Sequence, residues 1–122
     1  MIQILQSLEP FKFHANNIIL TELDDINEVL FIEEGLYDIG YEVNKKIQYR
    51  LRHPEKTLIG AFEACFDRRC LFIYKTFTEC KGYSIRKKHW KALEVDHKEL
   101  YNALKKKALF QYVQKIRRPL LE

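Results

Sequence analysis

The sequence of 122 residues predicts a single, mainly β domain that ends in helices. Several short runs of apolar and β-branched residues are separated by turn-forming residues, which is typical of a β-sandwich or roll. From Lys88 onward, the spacing of apolar residues changes from that of a strand to that of a helix. No apolar run approaches the roughly 20 residues that a membrane-spanning helix needs, so we expect any such span to lie outside this chain.

The elements of the β region follow from these patterns in chain order. Apolar spacing predicts a helix over residues 2–8, which Pro10 ends because the residue before a proline disfavours the α region. The runs at residues 36–43 and 47–52 alternate cleanly around Asn44, Lys45 and Lys46 and predict a hairpin. The predicted strands are residues 11–14, 18–20, 28–33, 36–43, 47–52, 58–60, 70–77 and 82–87.

Two helices are predicted after the strands. The first is short and ends near Val95. Asp96 is a good N-cap for the second, and Glu99 completes a capping-box pattern. This helix is expected to run to about Arg118, because Pro119 ends it. Its apolar residues occupy more than one face, which predicts that the helix is covered from two sides.

Charge is unevenly distributed along the chain. Residues 81–122 contain 12 Lys/Arg and 4 Asp/Glu, whereas residues 1–80 contain 9 and 13, so the C-terminal segment is basic and the body is acidic. The basic segment either packs on the acidic body of its own domain or meets an anionic partner. The cysteines, Cys65, Cys70 and Cys80, show no paired spacing and are expected to be reduced thiols in an intracellular protein.

The stretch at residues 58–76 is the most informative. A short strand ends at Gly60, about six helix-forming residues follow, and a basic turn with Arg68 and Arg69 precedes a strand. A helix N-terminus beside arginines is a favourable place for an anion. The alternative is that the two arginines form a solvated turn. Glu63 and Asp67 are four residues apart, a spacing that allows them to share a helix face, but no cleft is predicted in which a carboxylate pair would do acid–base chemistry.

Residues 59–76 resemble the phosphate-binding cassette of cyclic-nucleotide-binding domains, whose pattern is close to F-G-E-L-A-L-x-x-x-x-P-R-A-A-T-V-x-A. Ile59 and Gly60 match the first two positions, and Phe62 falls among the positions of the short helix. The family glutamate, which accepts a hydrogen bond from the ribose, falls on Ala61. The family arginine, which pairs with the cyclic phosphate, falls on Cys70.

The next position of the cassette also departs from the pattern, because Leu71 replaces a small residue that lets the backbone approach the phosphate. We therefore predict a degenerate ligand site made of Gly60, Ala61, Phe62, Arg68, Arg69, Cys70 and Leu71.

The resemblance implies an eight-stranded, jelly-roll-like β-roll with a short N-terminal helix and two C-terminal helices. Residues 1–122 would form one domain, with a helical lead-in at 1–9, the roll at 10–87 and the helices at 88–122. In this family the last helix closes over the nucleotide and often contacts a neighbouring subunit. A homo-oligomer through the C-terminal helices is therefore an open expectation.

The cassette looks most like that of EAG-type potassium channels. This resemblance implies a cytoplasmic gating module, without enzymatic activity or cofactor, that has weak or lost binding of cyclic nucleotides. Its expected partners are other domains or subunits of a parent protein, and not nucleic acid, because no helix-turn-helix follows the last helix. One alternative is a working cAMP or cGMP sensor that uses Arg68 or Arg69. Another is a cupin-type enzyme, for which His14 and His53 are too isolated to form a metal site.

Overall fold

The computed structural model of this protein describes residues 7–121. In this range eight strands form two four-stranded antiparallel sheets, in the orders β1-β8-β3-β6 and β2-β7-β4-β5. The strands are β1 Leu8–Phe13, β2 Ile18–Leu20, β3 Glu28–Glu34, β4 Tyr37–Val43, β5 Lys46–His53, β6 Thr57–Ile59, β7 Ile73–Thr76 and β8 Cys80–Arg86. The predicted mainly β roll is confirmed.

The hairpin between β4 and β5 shows how the sequence sets the register. Val43 pairs with Lys46, so the turn consists of two residues, Asn44 and Lys45, and not of the predicted three. Both turn residues have positive φ angles, 51° and 66°, as a type I′ turn requires. Asparagine tolerates this left-handed region well. The backbone twist of a type I′ turn matches the twist of the flanking strands.

The N-terminal prediction needs a correction in its described part. The helix expected over residues 2–8 lies mainly outside the described residues, but Leu8 already belongs to β1. Pro10 does not end a helix; it lies within β1 and is paired with Tyr83. Proline is tolerated there because β1 is the edge strand of its sheet.

Helices cover one end of the roll. They are α1 Ala61–Phe66, α2 Lys87–Asp96, α3 Lys98–Gln111, a π-helical segment Tyr112–Arg117, and α4 Arg118–Leu121. The last three segments form one continuous helix. The predicted capping box is wrong, since the N-cap residue of α3 is His97 and no side chain caps the helix.

Pro119 does not end the last helix, because it lies inside α4. Proline has no N–H to donate to the carbonyl four residues earlier, which belongs to Lys115. That carbonyl instead accepts a hydrogen bond from Nε2 of His53, 3.1 Å away on β5. A tertiary contact thus occupies the carbonyl that the proline leaves without its helical donor.

The core lies between the two sheets and beneath the helices. Ile32, Ile39 and Ile59 are fully buried inside the roll. Trp90 of α2 packs at this end of the domain and donates its indole N–H to the sulfur of Cys65, at 3.3 Å. All three cysteines are buried and free.

The long C-terminal helix buries a single face within this chain. Its buried side chains are Tyr101, Ala108, Tyr112, Ile116 and Leu120. Leu109 and Phe110 are exposed, so the predicted cover from two sides is not supplied by the domain itself. Lys87 and Lys91 of α2 pair with Asp67 on the body, which fits the reading in which basic residues pack on their own domain. No helix within residues 7–121 is long and apolar enough to cross a membrane.

Candidate functional site

Gly60 makes the sharp connection from β6 into α1. Its φ angle is +87°, in the left-handed region that residues other than glycine rarely adopt. A Cβ atom here would lie 3.2 Å from Cγ2 of Ile26. The carbonyl of Gly60 accepts a hydrogen bond from the N–H of Ala64 and so starts the helix. The geometry predicted for this end of the cassette is therefore present.

The helix α1 turns its short residues inward and ends at Asp67. Ala61 and Ala64 are buried against the roll, as the small side chains of this segment allow. Asp67 adopts a left-handed conformation with φ 52°, and the next N–H, of Arg68, bonds to the carbonyl of Glu63. This closes the helix after six residues and directs the basic turn outward.

The two arginines of the predicted site lie on the surface. The side chain of Arg69 is 3.2 Å from a carboxylate oxygen of Asp25, and both side chains are mostly exposed. Arg68 is exposed and lines, with Phe66, Arg69 and other residues, an open groove of about 480 Å³. Leu71 is also exposed, at 53%. The turn therefore forms a surface separate from the interior of the cassette.

Cys70 points inward and is fully buried. Its thiol donates to the carbonyl of Phe72 at 3.0 Å. Burial raises the pKa of this thiol to about 12, so that it stays protonated at neutral pH. A protonated, buried thiol is neither a nucleophile nor a partner for a phosphate anion.

The space behind α1 is almost completely filled. The cavity that remains there has a volume of about 10 Å³, roughly enough for a single water molecule. It is bounded by the start of the cassette, by Tyr74 of β7 and by the C-terminal helix. Its lining includes Gly60, Ala61, Phe62, Glu63, Tyr74, Gln111 and Tyr112.

Tyr112 of the π-helical segment fills this space from the side of the C-terminal helix. Its ring lies nearly parallel to that of Phe62, with centroids 3.9 Å apart and an interplanar angle of 3°. It also contacts Phe72 at a centroid distance of 6.2 Å. Only 5% of Tyr112 is exposed. A side chain of the last helix thus occupies the pocket that the cassette encloses.

Glu63 is the buried acid of this site, with only 3% of its surface exposed. Burial raises its pKa to about 7, and a hydrogen bond from its own backbone N–H opposes this rise. Burial raises the pKa values of Tyr74, Tyr112 and Cys70, and the nearby charge of Glu63 raises them further. When it ionises, Glu63 places a negative charge inside the cassette, where it would repel a phosphate.

Two polar side chains hold the C-terminal helix over the pocket. Nε2 of Gln111 donates to the carbonyl of Leu58 in β6, at 3.1 Å. His53 donates to the carbonyl of Lys115, as described above. Burial lowers the pKa of His53, which keeps the imidazole neutral and leaves the tautomer with a proton on Nε2 as the donor.

Sequence reasoning located the cassette but missed the residues that close it. Gly60, Ala61 and Phe62 line the pocket and Cys70 is buried outside its lining, whereas Arg68, Arg69 and Leu71 face the surface. The expected shared face of Glu63 and Asp67 is wrong, because Glu63 is buried and Asp67 is exposed beside Lys91. The apolar spacing around Tyr112 signalled burial but not the surface on which it packs.

The cupin alternative finds no metal site in the described part of the chain. Residues 7–121 contain no group of three His, Cys, Asp or Glu side chains that is able to hold a metal ion. His14 follows β1 and is exposed, while His53 ends β5 and is buried against the C-terminal helix.

Comparisons with known proteins identify the fold. No protein-family model matches the sequence, and a search of curated proteins finds no match. Similar solved structures include the regulatory subunit of a cAMP-independent protein kinase A from Trypanosoma brucei, with a TM-score of 0.76 and 13% identity over 98% of this chain and 42% of that one.

A triple mutant of the same Trypanosoma brucei subunit, bound to cAMP in its A site, has a TM-score of 0.72 and 15% identity over 88% of this chain and 39% of that one. The c-di-GMP-responsive regulator CLP of Xanthomonas campestris has a TM-score of 0.75 and 11% identity over 96% of this chain and 59% of that one. The chain thus spans 39–59% of the length of these proteins. It has the β-roll fold of cyclic-nucleotide-binding domains.

Proposed function

We propose that this chain is a regulatory, non-enzymatic domain of the cyclic-nucleotide-binding fold that binds cAMP and cGMP weakly or not at all. The observation that carries the proposal is the pocket itself. Tyr112 fills it, Glu63 supplies a buried acid to it, and the position of the family arginine holds Cys70. The name of the similar Trypanosoma brucei kinase subunit, which describes a cAMP-independent protein, agrees with a regulatory use of this fold without cAMP.

The magnitudes favour loss of nucleotide binding. A charged hydrogen bond contributes about 1.5–3 kcal/mol, so loss of the arginine alone weakens phosphate binding by roughly ten- to a hundredfold. Ala61 removes the acceptor for the ribose hydroxyl as well. A ligand must in addition displace the ring of Tyr112, because the space left beside that ring is only about 10 Å³.

The partners of this domain are proposed to be other domains or subunits of a larger, cytosol-facing protein. The chain spans 42% of the similar kinase regulatory subunit and 59% of the similar global regulator, so a domain of this fold works there as part of a longer regulatory protein. A potassium channel remains the parent that the cassette sequence predicts. The exposed apolar side chains of the last helix, Leu109 and Phe110, fit a homo-oligomer or a contact with a neighbouring domain.

Isothermal titration calorimetry with cAMP and with cGMP tests the proposal directly. We expect no binding in the micromolar range, and a low-micromolar dissociation constant for either nucleotide would refute it. The matched gain-of-function variant combines Ala61→Glu, Cys70→Arg and Tyr112→Ala. If the three positions are the reason for the loss, this variant binds at least tenfold more tightly than the wild type. One of the three substitutions in the cAMP-bound Trypanosoma brucei mutant likewise introduces an arginine.

A working sensor that uses the basic turn is the second candidate. The groove of about 480 Å³ that Arg68 and Arg69 share with Phe66 favours it, since it combines two cations with an aromatic ring. Here the double variant Arg68→Gln with Arg69→Gln is decisive. Nucleotide binding by the wild type that this variant abolishes would support a surface sensor; binding that it leaves unchanged would eliminate it.

A further inference from the structure

Another concave surface, distinct from the pocket and from the groove at the basic turn, lies between the C-terminal helix and the end of β5. It is a groove of about 390 Å³ with a mainly apolar lining. The residues that line this groove are His53, Pro54, Thr57, Lys107, Phe110, Gln111 and Lys115. The function proposed above for the cassette does not require this groove.

Phe110 is the most conspicuous side chain of this groove. Phe110 is 62% exposed, although it lies on a helix whose opposite face is packed into the domain. Large aromatic side chains next to a concavity are typical anchors of protein interfaces, because they bury much apolar area with little loss of conformational freedom. The groove therefore has the composition of an interface centre.

Two lysines line the groove. Lys107 and Lys115 are both exposed, and no ion pair joins either of them to another described residue. They are eight residues apart on the helix; the α-helical rise gives about 12 Å along its axis, and the π-helical residues from Tyr112 to Lys115 shorten this slightly. A partner with carboxylates at both ends and an apolar group between them would complement this arrangement.

We propose that this groove binds a short acidic peptide segment of a partner protein in an extended conformation. An extended chain rises about 3.3 Å per residue, so carboxylates four residues apart are about 13 Å apart and lie on the same side of the strand. The residue midway between them points the same way and would pack on Phe110. The expected motif is therefore acidic, any, apolar, any, acidic.

The groove is connected to the filled pocket through its own residues. His53 and Lys115 line the groove and are joined by the hydrogen bond that holds the π-helical segment. Gln111 lines it as well and is bonded to Leu58. A peptide seated here contacts the helix that carries Tyr112, and it is expected to stabilise the filled state of the pocket. Because coupling between two sites is reciprocal, a nucleotide that displaced Tyr112 would weaken the peptide, and the tests below are therefore made without nucleotide.

Selection from a displayed library of random dodecapeptides tests the proposal. We expect the selected peptides to be enriched in the acidic–x–apolar–x–acidic motif. The probe for the next step is the strongest selected peptide, labelled with a fluorophore and measured by fluorescence anisotropy. No enrichment, or enrichment of a different motif, would overturn the proposal.

Matched variants locate the binding. Phe110→Ala, and Lys107→Glu combined with Lys115→Glu, are each expected to weaken the peptide at least tenfold. The controls are Leu109→Ala, an exposed apolar residue of the same helix, and Lys98→Glu combined with Lys106→Glu, which makes the same change in net charge outside the groove. All these side chains are exposed, and thermal unfolding confirms that each variant folds.

The outcomes are distinct. Loss of affinity in the groove variants alone supports the proposal, whereas equal loss in the controls would indicate attraction by net charge and would overturn it. Anionic vesicles of phosphatidylserine and phosphatidylcholine and a single-stranded oligonucleotide are run in parallel. If the vesicles or the oligonucleotide bind more tightly than the selected peptide, and if Phe110→Ala weakens that binding, the partner is a membrane or a nucleic acid and the peptide proposal is wrong.

Discussion

Replacing Tyr112 by alanine removes a nearly buried ring from the face of Phe62 and leaves a cavity behind α1. Substitutions of large buried aromatic residues by alanine cost about 3–5 kcal/mol. The ring of Tyr112 packs against Phe62, Phe72 and the cassette. We expect Tyr112→Ala to lower the free energy of unfolding by about 3 kcal/mol, the lower end of this range. For a domain of this length, that corresponds to a fall in Tm of about 12 °C.

A double-mutant cycle separates the stacking contact from the loss of volume. Phe62→Ala, Tyr112→Ala and the double variant are unfolded in urea, and the coupling free energy between the two positions is calculated. Parallel rings at a centroid distance of 3.9 Å predict a coupling of about 0.5–1.5 kcal/mol. Tyr112→Phe is the matched control, because it keeps the stack and removes only the hydroxyl group. A coupling near zero, or a wild-type stability for Tyr112→Ala, would refute the filled pocket.

Three further changes test other parts of the site. Because the pKa of Glu63 is raised to about 7, the folded state holds its proton more tightly than the unfolded state, and stability should fall as pH rises from about 4.5 to 7. Glu63→Gln should remove this dependence and raise the free energy of unfolding at pH 8 by at most about 3 kcal/mol, as measured by urea unfolding. The pKa of His53 is lowered, so stability should decline as pH falls below about 6.5. His53→Ala should abolish that decline, cost about 1–3 kcal/mol of unfolding free energy and speed amide exchange around Lys115. Unchanged exchange would show that the hydrogen bond from His53 does not hold the helix at Lys115. Gly60→Ala should cost about 1–2 kcal/mol in thermal unfolding, because the residue keeps a left-handed φ angle and its methyl group crowds Ile26, and a neutral result would show that this turn relaxes freely.

The strands were predictable because each carries its own alternation and its own turn residues. The hairpin of β4 and β5 is the clearest case, since alternating side chains and Asn44 at the turn agree locally. The start of β7 was not predictable in this way. Residues 70–72 are apolar and were predicted as strand, but the N–H and carbonyl of Cys70 bond to the backbone of Asp24 and Leu23 in a loop.

The end of the last helix illustrates a competing tertiary effect. Pro119 predicts a stop from local sterics, and the structure shows a continuous helix with a π-helical segment before it. The carbonyl that proline leaves without its helical donor is bonded by His53, which lies far away in the sequence. Local rules cannot anticipate a donor that the fold brings in from another element.

The glycine turn and the short helix after it were predictable from the sequence, but the side chains that fill the space behind them were not. The glycine turn and the departures at Ala61 and Cys70 are visible in the cassette pattern itself. The roles of Glu63 and Tyr112 depend on which surface of the last helix meets α1, and periodicity gives only the apolar face. A charged residue inside a short helix reads equally well as exposed until the packing around it is known.

Tyr112 is covalently tethered to the domain, and so it acts on the pocket as an intramolecular competitor that dilution cannot remove. If docking of its ring is favoured by about 3 kcal/mol, only about one molecule in 150 has the interior free, and the apparent affinity of any ligand for that space falls by the same factor. Screening compounds against the intact domain would therefore miss ligands of moderate strength. The variant that lacks this ring is the appropriate target for such a screen.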